Sequence, residues 1–131
     1  MDEAALPELL CAYFAAKGFS ITPEAWRDTG GTKSASLWLS GGITVVSEYI
    51  DGGRVVEVPF EVRLRIPGEN VKDRLEAVEY FRTLAAAAKS KTPDEVGEFT
   101  LRVTSGAVKS AIYESGEEEY RAAFAVRYRE R

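Results

Sequence analysis

Hydrophobic and polar residues alternate along this chain most regularly between Val56 and Ile66. Val56, Val58, Phe60, Val62, Leu64 and Ile66 fall on one face of an extended strand, and Glu57, Glu61, Arg63 and Arg65 fall on the other. A period of two held this long predicts a half-buried strand. Ile43, Val45, Ser47 and Tyr49 repeat the pattern less cleanly, so Ile43–Ile66 predicts a long hairpin tipped by Asp51-Gly52-Gly53. Parity favours a two-residue Asp51-Gly52 loop, which sets Ser47 against Val56 and Val45 against Val58. A plain three-residue loop would put Glu48 against Val56, and a Gly52-Gly53 loop would oppose Glu48 and Glu57. Pro59 cannot donate to a ladder, which predicts a sheet edge or a bulge beside it.

Two stretches carry helical spacing instead. Leu6, Leu9, Leu10, Tyr13 and Phe14 form an apolar stripe with Pro7 in the first turn and Lys17-Gly18 as its end. Cys11 adjoins that stripe and reads as a packed residue, because no Lys, Arg or His lies within a turn of it. The second helix opens at Asn70 as N-cap and buries Val71, Leu75, Val78, Phe81, Leu84, Ala85 and Ala88. Its four alanines, Ala85–Ala88, allow close approach to a sheet, and Lys89 to Pro93 ends it.

Between Phe19 and Ser36 the periodicity fails. Thr22-Pro23-Glu24 suits the start of a single helical turn carrying Trp26. Gly30-Gly31-Thr32-Lys33-Ser34 has the letters of a phosphate-binding loop. It lacks the G-x-x-x-x-G-K-[ST] spacing and the following helix, so it reads as a surface loop. Ser36–Ser40, with Leu37 and Leu39, reads as a strand.

The last third predicts a three-stranded meander of Glu98–Ser105, Ala107–Glu114 and Glu118–Arg129. A two-residue loop at Ser105-Gly106 would match Phe99, Leu101 and Val103 to Ile112, Ser110 and Val108. A three-residue loop around Gly116 would carry that face on to Ala122, Phe124 and Val126. The order of elements predicts one α+β domain over residues 1–131, an antiparallel or mixed sheet with both helices packed on one face.

Composition narrows the chemistry. The chain has 131 residues, 45% hydrophobic and 29% charged, as expected of an ordinary globular domain. A net charge of −4 argues against bulk electrostatic binding of nucleic acid. No apolar run reaches a membrane span, and the acidic Asp2-Glu3 opening predicts no secretory signal. A single Cys fits a disulfide-free cytosolic protein. There is no His, which excludes Ser-His-Asp and Cys-His nucleophilic sites and His-ligated zinc.

The candidate functional residues are surface groups. The second face of the meander should gather Arg102, Lys109, Arg121 and Arg127 with Tyr113, Ala111, Ala123 and Ala125, a combination that suits a partner surface. Glu48, Glu57 and Glu61 on the outer face of the hairpin read as solvated charge, since an exposed strand face supplies no cleft to split their pKa values. Glu117-Glu118-Glu119 at a turn reads the same way. A glycine-tipped hairpin can also reach a neighbour's sheet, a heterologous contact that closes a ring when repeated around an axis.

Two segments, Ser47–Arg65 (SEYIDGGRVVEVPFEVRLR) and Glu118–Tyr128 (EEYRAAFAVRY), resemble the minor capsid or tail-terminator proteins of tailed-phage and prophage head–tail modules. The resemblance covers residues 43 to 129 and carries no catalytic signature. It implies a tail-terminator-like fold and a structural protein without enzymatic activity or cofactor. Such a protein forms a ring, a hexamer by the resemblance, that caps the tail tube and meets the head connector. It would assemble in the bacterial cytoplasm and reside at the virion head–tail junction. The positions matching the family are the tip residues Tyr49, Asp51, Gly52, Gly53 and Arg54, and Tyr120, Arg121, Phe124 and Tyr128 of the last strand. With Arg102, Tyr113 and Arg127 from the second face, the tip residues and Arg121 form the candidate interface. Two other readings stand beside it. One is a small ligand-binding module with a pocket between sheet and helices, and the other is an enzyme using Glu and Tyr groups.

Overall fold

Phe60 and Phe124 stack with ring centroids 5.4 Å apart, and the two strands that carry them form the centre of the molecule. The computed structural model describes residues 6–23, 34–66, 71–89, 99–113 and 116–130. In chain order its elements are α1 (Leu6–Ala16), β1 (Thr22–Pro23), β2 (Ser34–Leu39), β3 (Thr44–Glu48), β4 (Arg54–Ile66), α2 (Val71–Lys89), β5 (Phe99–Ile112) and β6 (Glu118–Glu130). They make an α+β fold, with a six-stranded open sheet in the order β1-β2-β4-β6-β5 and β3 paired to β4. The sheet is mixed: β1 runs parallel to β2, and every other pairing is antiparallel.

The alternation read in the sequence decides which face is buried. Val56, Val58, Phe60, Val62, Leu64 and Ile66 of β4, with Tyr120, Ala122, Phe124, Val126 and Tyr128 of β6, are all buried on the inner face. Each large apolar side chain covered in this way contributes on the order of 1.5–3 kcal/mol. Both helices lie against this face. Phe14 of α1 meets Phe124, and Tyr13 meets Phe99 edge-on at 5.7 Å. The Tyr13 hydroxyl donates to the Ala87 carbonyl at 2.9 Å and ties the alanine end of α2 to α1. Helix α1 ends where expected: Phe19 N–H donates to the Phe14 carbonyl and Gly18 N–H to that of Ala15, the paired bonds of a Schellman cap.

Four expectations about the elements are corrected. First, the hairpin loop has three residues, Ile50-Asp51-Gly52. Tyr49 N–H donates to Gly53 O at 2.7 Å, and Gly52 N–H returns to Tyr49 O at 3.1 Å with Gly52 at φ +89°. Asp51 Oδ1 accepts from Gly53 N–H, fixing the turn. The odd loop would mix the faces, but an irregularity at Val46 restores parity. Ser47 therefore lies opposite Val55 and Val45 opposite Val56, not Val58.

Second, no turn occurs at Ser105-Gly106. Strand β5 continues through it along β6, taking up the mismatch in register shifts between Val103 and Ser105, Ser105 and Val108, and Lys109 and Ala111. The meander is thus two strands, and its one loop, around Gly116, is closed by Tyr113 N–H to Glu117 O at 2.8 Å. Third, Thr22-Pro23, expected to open a helical turn, forms β1. Glu24, Trp26 and residues 30–33 of the glycine-rich loop lie outside the described residues, as does Asn70.

Fourth, α2 buries Ala77, Phe81 and Leu84, while Leu75 and Val78 are exposed. At 100° per residue, Val78 lies roughly 100° and Leu75 roughly 160° around the helix from Ala77, beyond the arc that faces the sheet. The side chains of Val71 and Ala88 lie outside the described residues.

Pro59 sits in a central strand, opposite Ala125 of β6. Its carbonyl accepts from Ser40 N–H at 3.0 Å, so its backbone faces the side of β4 where β2 hands over to β3. The missing donor falls in that gap and costs the ladder nothing.

Candidate functional site

The outer face of the sheet is built by the polar half of the alternation. Glu57 and Glu61 on β4 point to it, and each is enclosed by arginines rather than left in water. Glu57 accepts from Arg102 (Nη2–Oε1 2.7 Å, Nε–Oε2 3.1 Å) and from Arg127 (Nη2–Oε2 3.0 Å). The Arg102 hydrogen bond is the main cause holding the Glu57 carboxyl below the usual carboxylate range, against a desolvation that would raise it. Glu61 is 8% exposed. It accepts from Arg63 Nε at 2.6 Å and faces Arg121 at 3.8 Å. Arg63 lies over the Trp38 ring, 5.3 Å from its centroid. The sequence expectation of plain solvated charge is corrected here, because two arginines converge on each acid: Arg127 of β6 and Arg102 of β5 on Glu57, and Arg63 of β4 and Arg121 of β6 on Glu61.

Small residues make this possible. Arg102 pairs with Ala125 on the intervening strand, and Pro59 faces Ala125 from the other side. Ala125 is 2% exposed and leaves room for the guanidinium to cross β6 to Glu57. Near the Gly116 loop, Arg65 stacks on Tyr113 at 4.3 Å, and the Tyr113 hydroxyl donates to Glu119 Oε1 at 3.0 Å. Glu119 also accepts from Ser110 Oγ at 2.8 Å. The register shifts in β5 carry Lys109 to the other face. There, beside Tyr120, it meets buried Glu118 at 3.3 Å together with Arg74 of α2 at 3.1 Å. Burial works against the Glu118 charge, yet the bonds from Lys109 and Arg74 outweigh it and lower its pKa.

Arg102, Arg121, Arg127 and Tyr113 therefore share one face, as their spacing suggested. Tyr49, Asp51, Gly52, Gly53 and Arg54 do not join them in one site. Arg54 pairs with Glu130 at one end of the β4–β6 ladder and the other tip residues lie beyond it, whereas Tyr113 lies near the opposite Ile66–Glu118 end, about 40 Å away at strand rise. The hairpin arm also projects less than expected, because β6 accompanies β4 as far as Arg54. Only the tip and β3 stand clear.

Strand β3 is exposed along its whole length, with Val45 at 41% and Val46 at 42%, and at the tip beyond it Tyr49 is 47% and Ile50 fully exposed. On α2, Leu75 and Val78 border an open groove of about 620 Å³ with Lys72, Glu76, Glu79 and Arg82. Sequence reading missed this groove because it assigned Leu75 and Val78 to a buried stripe, and it gave Val46 no role.

Buried Cys11 is a poor nucleophile: burial, with the Glu8 charge, pushes its thiol up to about 11. Among the described residues no group of three or more Cys, Asp and Glu is placed to hold a metal ion. Among them too, no helix is long and apolar enough to cross a membrane. Comparison with protein-family models found no match, and a search of curated proteins found no significant relative.

Proposed function

We propose that this chain is a ring-forming structural subunit of the tail-terminator or minor-capsid class, capping the tail tube of a phage or prophage and presenting a surface to the head connector. The observation that carries this reading is β3 with its tip. Val45 and Val46 of β3, with Tyr49 and Ile50 at the tip, hold apolar surface in water, and among the described residues β3 is paired on one side only; such a surface serves contact with other subunits. The paired arginines and glutamates of the outer face support the same reading, because they give a rigid, patterned surface rather than a cleft for chemistry. In this role the subunit joins copies of itself first, then the tube protein and the connector protein, in the bacterial cytoplasm before residing at the head–tail junction.

Size-exclusion chromatography with light scattering and negative-stain imaging tests the reading. The expected result is a closed ring of uniform copy number, reached as concentration rises. A 14.4 kDa monomer at every concentration overturns it. The ligand-binding alternative places a pocket between sheet and helices, where Phe14, Phe60 and Phe124 pack together. A native mass spectrum retaining a small molecule would favour that alternative.

A further inference from the structure

Two unsatisfied charges of opposite sign stand on separate parts of the molecule. Glu48 is exposed beside the hairpin tip, and among the described residues its carboxylate makes no hydrogen bond or ion pair, although Arg54 lies opposite it in the ladder. Arg121 has one contact among them, Glu61 at 3.8 Å, outside hydrogen-bond reach. Its cross-strand partner Arg63 binds the same carboxylate through Nε at 2.6 Å, so one acid serves two bases and Arg121 is the base left over. Like charges facing each other across a ladder repel, and a second acid beside Arg121 would relieve them.

The surroundings of these two charges are complementary. Tyr49 and Ile50 follow Glu48 and hold apolar surface in water, and from Ile43 to Gly53 the chain carries Glu48 and Asp51 and no base. On the outer face the acids lie beneath the bases. The side chains of Glu57 and Glu61 are 16% and 11% exposed, whereas those of Arg102, Arg121 and Arg127 are 43–58% exposed. With Arg63, four arginines over two glutamates give this face a surplus of two positive charges, in a chain whose net charge is −4. Ala123 of β6 and Trp38 of β2 flank Glu61 from its two neighbouring strands, and both are half-buried, so apolar ground adjoins Arg121. Arginine and tryptophan are enriched where interfaces bind most strongly.

We infer that the hairpin tip of one copy docks on the Trp38–Arg121–Ala123 patch of the next, with Glu48 paired to Arg121 and Ile50 covering Ala123. One copy cannot make this contact with itself. Glu61 lies seven residues along β4 from Arg54, about 23 Å at strand rise, and the tip lies beyond Arg54 on the far side. The inference rests on the ring-forming reading and names the contact that makes the ring. Tip and patch are different surfaces, so the contact is heterologous, and with a constant rotation between copies it closes when that rotation divides the circle.

Charge reversal in the full chain tests it, read by light scattering over a concentration series. Glu48→Lys and Arg121→Glu should each weaken self-association about tenfold or more, because each sets like charges together at the contact. The double variant carrying both changes restores the pair with its signs exchanged, and it should assemble within about threefold of the unaltered chain. Ile50→Cys and Ala123→Cys supply the test if Arg121→Glu fails to fold by circular dichroism. Mixed and oxidised, these two variants should cross-link to each other, while Cys11 stays buried in α1. Single variants that assemble like the unaltered chain would overturn the contact, as would a double variant no stronger than the singles or a mixture without the cross-link. Rings that persist through any of these would leave the ring-forming reading in place. DNA is the other anionic occupant for the arginine face, and a labelled strand should show no change in anisotropy. Salt-sensitive DNA binding that is lost in Arg121→Glu, with self-association unchanged, would overturn the assignment of the face to a second copy. An unaltered chain that stays monomeric would overturn both the contact and the ring.

Discussion

Arg102 grips Glu57 through two parallel hydrogen bonds, Nη2 to Oε1 at 2.7 Å and Nε to Oε2 at 3.1 Å, although their strands are not neighbours. The bond passes over β6, where Ala125 provides the space and Arg127 adds two more donors, Nη2 and Nε, from the strand between. Three strands are thus tied on their outer face by one carboxylate. The geometry is bidentate, the arrangement in which a charge-assisted pair is strongest.

This tie makes stability depend on pH. The Glu57 pKa lies below its unfolded value, so its contribution is complete above about pH 4.3 and disappears as pH falls through the lower, folded value. Glu118 acts in the same direction. Glu57→Gln should be less stable than the unaltered chain at pH 7, with the gap narrowing as pH falls below the ordinary glutamate pKa of about 4.3 and through the lower, folded value. Urea denaturation at a series of pH values measures it, and a gap constant with pH would contradict the assignment.

The two hairpin tips make a second prediction. Gly52 has φ +89° and Gly116 φ +90°, each closing a loop through its N–H. Valine at either position should cost at least about 1–2 kcal/mol, the penalty of a left-handed backbone at an ordinary residue. In the proposed ring, Gly52→Val should also impair assembly, since it distorts the arm that carries β3. Gly116→Val should lose stability without that effect. Chemical denaturation and light scattering on both variants separate the two.

Neighbouring glycines before β3 should respond unequally. A Cβ on Gly41 would stand 2.9 Å from Pro59 Cγ, whereas one on Gly42 meets nothing within 4 Å. Gly41→Ala should destabilise by about 1–3 kcal/mol, as forced overpacking does. Gly42→Ala should stay within about 0.5 kcal/mol. Thermal unfolding of the pair checks how closely the β2–β3 turn presses on β4.

Helix α2 offers a direct comparison of two leucines. Leu84 is fully buried and Leu75 is 65% exposed. Leu84→Ala should cost about 2–5 kcal/mol, the range for a core leucine. Leu75→Ala should cost little in the monomer, within about 0.5 kcal/mol. Equal losses would mean that the helix faces the sheet with the stripe first read from the sequence.

The residues themselves determined the buried faces of β4 and β6, the stripe and cap of α1, the three-residue loop around Gly116 and the α+β class. In each case a run of consecutive residues carries the signal, because burial against any flat surface imposes a period of two or 3.6. Only the tertiary structure decided the shape of the Ile50-Asp51-Gly52 loop, the passage of β5 through Ser105-Gly106 and the exposure of Leu75 and Val78. Parity arguments assume unbroken ladders, and a single bulge at Val46 or in β5 reverses them at small cost. The Arg102–Glu57 tie was illegible for the same reason: it joins residues 45 positions apart across a third strand, and depends on an alanine whose role appears only once the strands are laid side by side.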